Sequence, residues 1–317
     1  MPHFARRKLG IVAGLLLIVP CALYSAAKIH ISPKFTVGEI FRYQIDTQET
    51  SSGGVTTPIV NPSGGSQSSE STHLILRFKV LENQPESKSG FPAEVKLQTT
   101  YEESQASTTS DAQDATTSPL AAAYSELEGQ SFELSVSSDG TSSSFGTTSE
   151  VLRKLSTDSP ALSWTNIGGI FLRVFPPEGI SIGQKWGMSR PLLGTVPLTG
   201  SEWQMSSTYL RGEPCMTPSD LSHQCAAILT RFQIVRRGSG DPTPPEYVKS
   251  GLRTSGTWTG SGESLDFISL ATGRLVRSTQ TSTQDLDYQV ASASTGSSVH
   301  QVSHTSTRTE ITLLSEP

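Results

Sequence analysis

Residues able to do chemistry are few in this chain, and they are scattered. Cys215 and Cys225 flank the polar stretch MTPSDLSHQ, ten positions apart. Two sulfurs and the imidazole of His223 fall short of the ligand set of a zinc site. A cysteine pair in an exported chain points instead to a disulfide, with free thiols as the alternative. His300 and His304 fall on one face of the last strand, and Asp285 and Asp287 share a strand face as well. Both pairs read as solvated strand faces, with a weak metal or calcium site as the rarer alternative. Glu102 and Glu103, and Asp111 with Asp114, border polar segments where a poised carboxylate is not expected. His30, His73 and His223 are isolated.

The motifs that announce enzymes are missing. There is no G-x-S-x-G, H-E-x-x-H, phosphate loop or dinucleotide fingerprint. Serine is too common to single out a nucleophile: 49 Ser and 35 Thr make up about a quarter of the 317 residues. Trp164, Trp186, Trp203 and Trp258 read as core or core-edge residues, with sugar stacking as the rarer role. No catalytic, cofactor-binding or metal-ligating residue is therefore assigned, no cofactor is expected, and the chain is expected not to be an enzyme.

The elements that hold these residues begin with an export signal. Arg6, Arg7 and Lys8 precede an apolar run from Leu9 to Ala27. Ser25 and Ala27 place small residues for cleavage after Ala27. The alternative is a retained anchor, through which residues 9–27 would contact the membrane. Losing residues 1–27 removes three basic residues and no acid, so the net charge moves from −5 to −8. That balance offers no attraction to nucleic acid or to anionic lipid heads. The expected location is the periplasm or the outer face of the cytoplasmic membrane.

From Lys28 onward the chain reads as antiparallel strands punctuated by glycine turns. Phe41, Tyr43 and Ile45 alternate with polar residues, as do Leu74, Leu76, Phe78 and Val80, and Phe132, Leu134 and Val136. Polar, Ser/Thr-rich inserts near 48–71 and 104–118 are expected to be disordered, since they cannot build a core. Helical spacing is confined to about 149–173, where Ser149 offers a cap and Ser159-Pro160 a break. The expected organisation is a first β unit over 28–145, a helical link over 146–178 and a second β unit over 179–317.

The two β units resemble each other. FTVGEIFRY (35–43) matches ISIGQKWGM (180–188), with an aromatic residue three places past a glycine in each. LILRFKVLE (74–82) matches AILTRFQIV (227–235). Residues 129–144 match 262–277, with Gly129 and Gly140 spaced like Gly262 and Gly273. A curved sheet of this kind cannot bury its apolar face alone. The fold expected is mainly β: a duplicated, curved antiparallel sheet, half-barrel-like, with a short helical link.

Gly38, Phe41, Asp139, Gly140, Pro177, Gly183, Trp186, Gly262, Phe267, Thr272 and Gly273 together give the chain a loose resemblance to uncharacterised exported bacterial β-rich proteins. More distantly it resembles the half-barrel lipoprotein and lipid-carrier proteins of the cell envelope. These residues serve turns and packing, so the resemblance implies no site residue. It implies a non-enzymatic envelope protein that binds or carries an apolar or lipid-like ligand. Ile170, Leu172 and Val174 in IGGIFLRVFPP are the candidate lining. The alternative is a structural or assembly protein at the cell surface, with another envelope protein as partner.

Overall fold

Alternation of inward and outward side chains fixes which side of each strand is buried. The computed structural model describes residues 28–56, 65–84, 94–111, 119–137, 142–143, 170, 175–191, 198–215, 223–236, 240–292 and 294–314. The strands are β1 (Ile40–Thr56), β2 (Ser66–Asn83), β3 (Glu94–Ser110), β4 (Ser131–Ser137), β5 (Ser142–Ser143), β6 (Lys185–Pro191), β7 (Ser201–Pro214), β8 (Gln224–Arg236), β9 (Leu252–Ser269), β10 (Leu275–Ser292) and β11 (Ser298–Leu314). Two short helices are described, α1 (Pro119–Ser125) and α2 (Pro245–Lys249). All the strands join one antiparallel sheet in the order β5-β4-β3-β2-β1-β11-β10-β9-β8-β7-β6. This is the expected curved, half-barrel-like sheet, left open at β5 and β6.

The duplication has a direction. Read from β6, each strand pairs with the next in sequence as far as β11, the sheet then passes to β1, and it continues to β5. Both halves therefore step across the sheet the same way, and β1 and β6 run in the same direction. The matched segments 35–43 and 180–188 open these halves with one hydrogen-bonded turn. Glu39 N–H donates to the Thr36 carbonyl and Gln184 N–H to that of Ser181. The Glu39 and Gln184 side chains accept from the Thr36 and Ser181 N–H groups in turn. Gly38 (φ 88°) and Gly183 (φ 80°) supply the left-handed residue of a type II turn. Their N–H groups donate to Val80 on β2 and Tyr209 on β7.

A third copy of the turn lies at Leu127–Gln130, with Gly129 (φ 79°) donating to Tyr101. The expected match of Gly129 to Gly262 does not hold, because Gly262 is an interior residue of β9. Gly273 does sit at the turn after β9, as expected.

The apolar core gathers at one end of the strands, on the inner face. Phe41, Tyr43, Leu76, Phe78, Leu97, Tyr101 and Leu134 form its floor, all at or below 3% exposure. Ile31, Phe35, Tyr124, Leu127, Ile170, Phe175 and Ile180 cover it. Phe41 stacks on Phe78 at 5.4 Å and meets Tyr43 edge-on at 6.0 Å. Arg274 lies over Phe41, 4.8 Å from the ring centre, and pairs with Glu39. Trp186, the counterpart of Phe41, is only partly buried and packs on Phe175 at 6.1 Å. Cys215 and Cys225 form the expected disulfide, fastening the end of β7 to β8. Closing so short a loop contributes on the order of 2–3 kcal/mol.

The described residues of the inserts expected to be disordered are largely strand. Residues 48–56 belong to β1, 66–71 to β2 and 104–110 to β3. Hydroxyl side chains supply cross-strand partners where apolar ones are lacking: Thr47 with Thr309, Ser51 with Thr305 and Ser71 with Ser107. The signal segment 1–27, Asp139-Gly140 and residues 149–169 and 171–173 of the helical link lie outside the described residues.

Gly273 separates two costs of adding a methyl group. It has φ 68°, and a Cβ there would lie 2.1 Å from the Ser32 carbonyl oxygen. Gly38 also has positive φ but has nothing within 4 Å. Gly38→Ala should lose the backbone term alone, about 1–2 kcal/mol. Gly273→Ala should lose clearly more, because the segment covering the core must move. Urea denaturation measures both, and equal losses would contradict this packing.

Candidate functional site

Strand register places one row of inner-face residues across most of the sheet. Met188 on β6 pairs with Met205 on β7, Met205 with Phe232 on β8, and Phe232 with Gly262 on β9. Gly262 pairs with Ser282 on β10, and Ser282 with Thr307 on β11. The row ends in carboxylates: Thr307 pairs with Glu49 on β1, and Glu49 with Glu70 on β2. A trough of about 1040 Å³ follows this row from β6 to β11. That is just above the range of about 300–1,000 Å³ usual for small-molecule sites.

The floor changes character along its length. Thioethers and aromatic rings form the β6–β8 end. Trp203, one row over on β7, meets Phe232 edge-on at 5.2 Å. Gly262 makes room for this cluster. A Cβ there would fall 2.5 Å from the Phe232 ring, so the ring occupies the place of the missing side chain. Beyond Gly262 the lining is hydroxyl-bearing, with Ser282 and Ser306; past it the register row continues through Thr307, with Thr305 and Thr309 in the flanking rows. This end lies past the apolar core, so the trough is separate from it.

Glu49 and Glu70 face each other from β1 and β2. Thr307 Oγ1 donates to Glu49 Oε2 at 3.3 Å. Burial raises the Glu49 carboxyl, and this hydrogen bond partly offsets the rise. Glu70 is pushed up to about 7, first by burial and then by the Glu49 charge. Its Oε1 is shielded from solvent with no hydrogen-bond partner. Near this pair the bases lie on the other face: Arg42 and Arg77 meet Glu102, and Arg308 meets Glu310, all at outward positions; Arg231, at the β8 rim of the trough, pairs with Glu263 at 3.6 Å.

The histidines and acidic residues singled out from sequence are placed elsewhere. His304 contacts Asp285 and His300 contacts Asp287, each at 2.7 Å, on the exposed outer face. His73 contacts Asp46 at 2.7 Å on the same face. Among the described residues no three His, Cys, Asp or Glu side chains gather as a metal site. Asp111 accepts from the Gln67 N–H where β2 meets β3. Trp258 donates to Gln284 on the neighbouring strand at 3.3 Å. Trp164 and Asp114 lie outside the described residues.

Of the expected ligand lining, Leu172 and Val174 also lie outside them. Ile170 is 4% exposed, and the space beside it, bounded by Tyr43, Phe175 and Ile268, is about 20 Å³. That is room for one water, so the surroundings of Ile170 are packed core. The trough residues carry no sequence signal of their own. Met188, Met205 and Phe232 come together only through the register of three strands.

No family model matches the chain, and no curated protein matches it. Among solved structures it is similar to lipovitellin, described for its lipid–protein interactions, with 13% identity and a TM-score of 0.48. That match covers 89% of this chain and 26% of the other, so the chain spans about a quarter of lipovitellin's length. It is also similar to an outer membrane channel from Pseudomonas putida F1, with 6% identity and a TM-score of 0.16, covering 87% of this chain and 97% of that one. No helix among the described residues is long and apolar enough to cross a membrane.

The carboxylate pair predicts a pH dependence. Glu70 holds its proton more tightly in the fold than at its ordinary value of 4.5. Its contribution to stability is therefore full below about pH 4.5 and is lost as pH rises through about 7. Glu70→Gln should flatten this fall. Urea midpoints at pH 5 and pH 8 test it, and an unchanged pH slope in the variant would contradict the assignment.

Proposed function

We propose that this protein is a non-enzymatic binding or carrier module whose ligand lies in the inner-face trough. The observation that carries the reading is the open trough over Met188, Met205 and Phe232, while the cavity among the described core residues beside Ile170 is only about 20 Å³. Its apolar end and hydroxyl-rich centre suit a molecule with an apolar chain and a polar part. Burying each methylene of such a chain contributes about 0.8 kcal/mol. The outward face of the sheet carries ion pairs and histidine–aspartate pairs, so apolar contact is concentrated on the inner side.

The location we propose is exported, in the periplasm or at the cell envelope. The basic start and apolar run of residues 1–27 support it. The Cys215–Cys225 disulfide supports it independently, because such bonds persist in oxidising compartments. The second reading, a structural or assembly role, draws on the two ends of the sheet at β5 and β6, where another strand could add.

Trp203 reports on the trough. Tetradecyl maltoside, added below its micelle-forming concentration, should shift the tryptophan emission in a saturable, one-to-one titration. Met205→Glu should weaken that binding about tenfold or more, equivalent to about 1.4 kcal/mol. Ile170→Ala should leave it unchanged. Equal binding by wild type and Met205→Glu, or dependence on Ile170, would overturn the trough as the ligand site.

A further inference from the structure

The trough has a polarity that its volume alone does not express. One register row runs from Met188 through Phe232 and Ser282 to Thr307, Glu49 and Glu70. The row starts in thioethers and an aromatic ring, crosses small and hydroxyl side chains, and finishes on two opposed carboxylates. From Phe232 to Glu49 is four strand spacings, about 19 Å. The Glu49 side chain reaches back along this line to Thr307, the residue that pairs with Ser282 of the trough floor.

The charge at that end has no internal counterpart. The inner-face neighbours of the two carboxylates along their own strands are Thr47, Ser51, Ser68 and Thr72. Those across from them on β3 and β11 are Thr108 and Thr307. None of these six ionises, and the arginines of the region pair with acids on the outer face. Two facing carboxylates in a half-buried, low-dielectric setting repel each other, and a cation placed between them relieves that repulsion.

The geometry points to a single-chain amphiphile with a cationic head as the ligand. Its chain lies over Met188, Met205 and Phe232, and its head lies at Glu49 and Glu70. This rests on the trough being the ligand site and adds the direction and head-group charge of the ligand. The high pKa of Glu70 supports it: a bound cation favours the ionised carboxylate, so binding releases a proton near neutral pH. Head-group preference should therefore weaken as the pH is lowered from 8 to 5.

Three probes of equal chain length separate this inference from the one beneath it: tetradecyltrimethylammonium, tetradecyl maltoside and tetradecyl sulfate, each kept below its micelle-forming concentration. Wild-type protein at pH 8 should bind the cationic probe about tenfold tighter than the neutral one, and the sulfate most weakly. In the double variant Glu49→Gln, Glu70→Gln the cationic and neutral probes should bind alike. A circular dichroism spectrum and urea transition like those of wild type show that the variant is folded. Equal affinity for cationic and neutral probes in wild type would overturn the head-group assignment and leave the trough standing. So would a cationic preference that survives in the double variant. Failure of all three probes to bind saturably would overturn the trough itself.

Discussion

The pairing of the first strand with the last holds the molecule together. β1 and β11 are in register from Arg42–Leu314 to Thr56–His300, and β1 pairs with β2 on its other side. Without that ladder there would be two meanders, β1–β5 and β6–β11, each with half a core. With it, Tyr43 and Ile45 continue the apolar floor laid by β2 and β3 into the second half. Tyr43 donates its hydroxyl to the Leu275 carbonyl at 2.7 Å, a buried bond between the two halves. Arg274 strengthens the same seam by lying over Phe35 and Phe41 while donating to the Lys34 carbonyl.

The seam also explains why one sheet has two chemistries. Near the turns at Gly38 and Gly183, the inner face is covered by the segment around Ile31 and Phe35, by the residues after α1, and by Phe175 and Ile180. Farther along the strands that cover ends, and on β10 and β11 the inward residues around Ser282 and Thr307 become Ser, Thr and Gln. Ser264 and Ser278 mark the boundary, both donating to the buried Asp266. A polar inner face beyond this point need not collapse on itself, because its hydroxyls bond across strands. Space is left over Met205 and Phe232, and the β1–β11 ladder carries Glu49 to the end of the same row.

Much of the fold was legible in the residues themselves. Alternation in 41–45, 74–80 and 132–136 named the inward face correctly, and the shared glycine turn of 35–43 and 180–188 marked the start of each half. The cysteine spacing, with the expected export, gave the disulfide. Composition misled at 48–56, 66–71 and 104–110, because serine and threonine read as solvent-loving when taken singly. Their hydroxyls bond to one another only once strands are aligned. The site was not legible for a related reason. Phe232, Gly262 and Ser282 are far apart in sequence, and which of them share a row depends on the register of neighbouring strands. Ile170 drew attention as an apolar residue in an apolar run, and it is spent on filling the core.

Hydrogen exchange of backbone amides tests the dependence on the seam most directly. If the β1–β11 ladder joins the two halves, its amides open only with global unfolding. Residues 43–47 and 309–313 should then exchange most slowly in the chain, at rates tied to global stability, while β6 at the edge exchanges faster. Exchange in β1 and β11 as fast as at the β6 edge, with β2–β3 and β8–β9 still protected, would contradict the account and show two halves that fold independently.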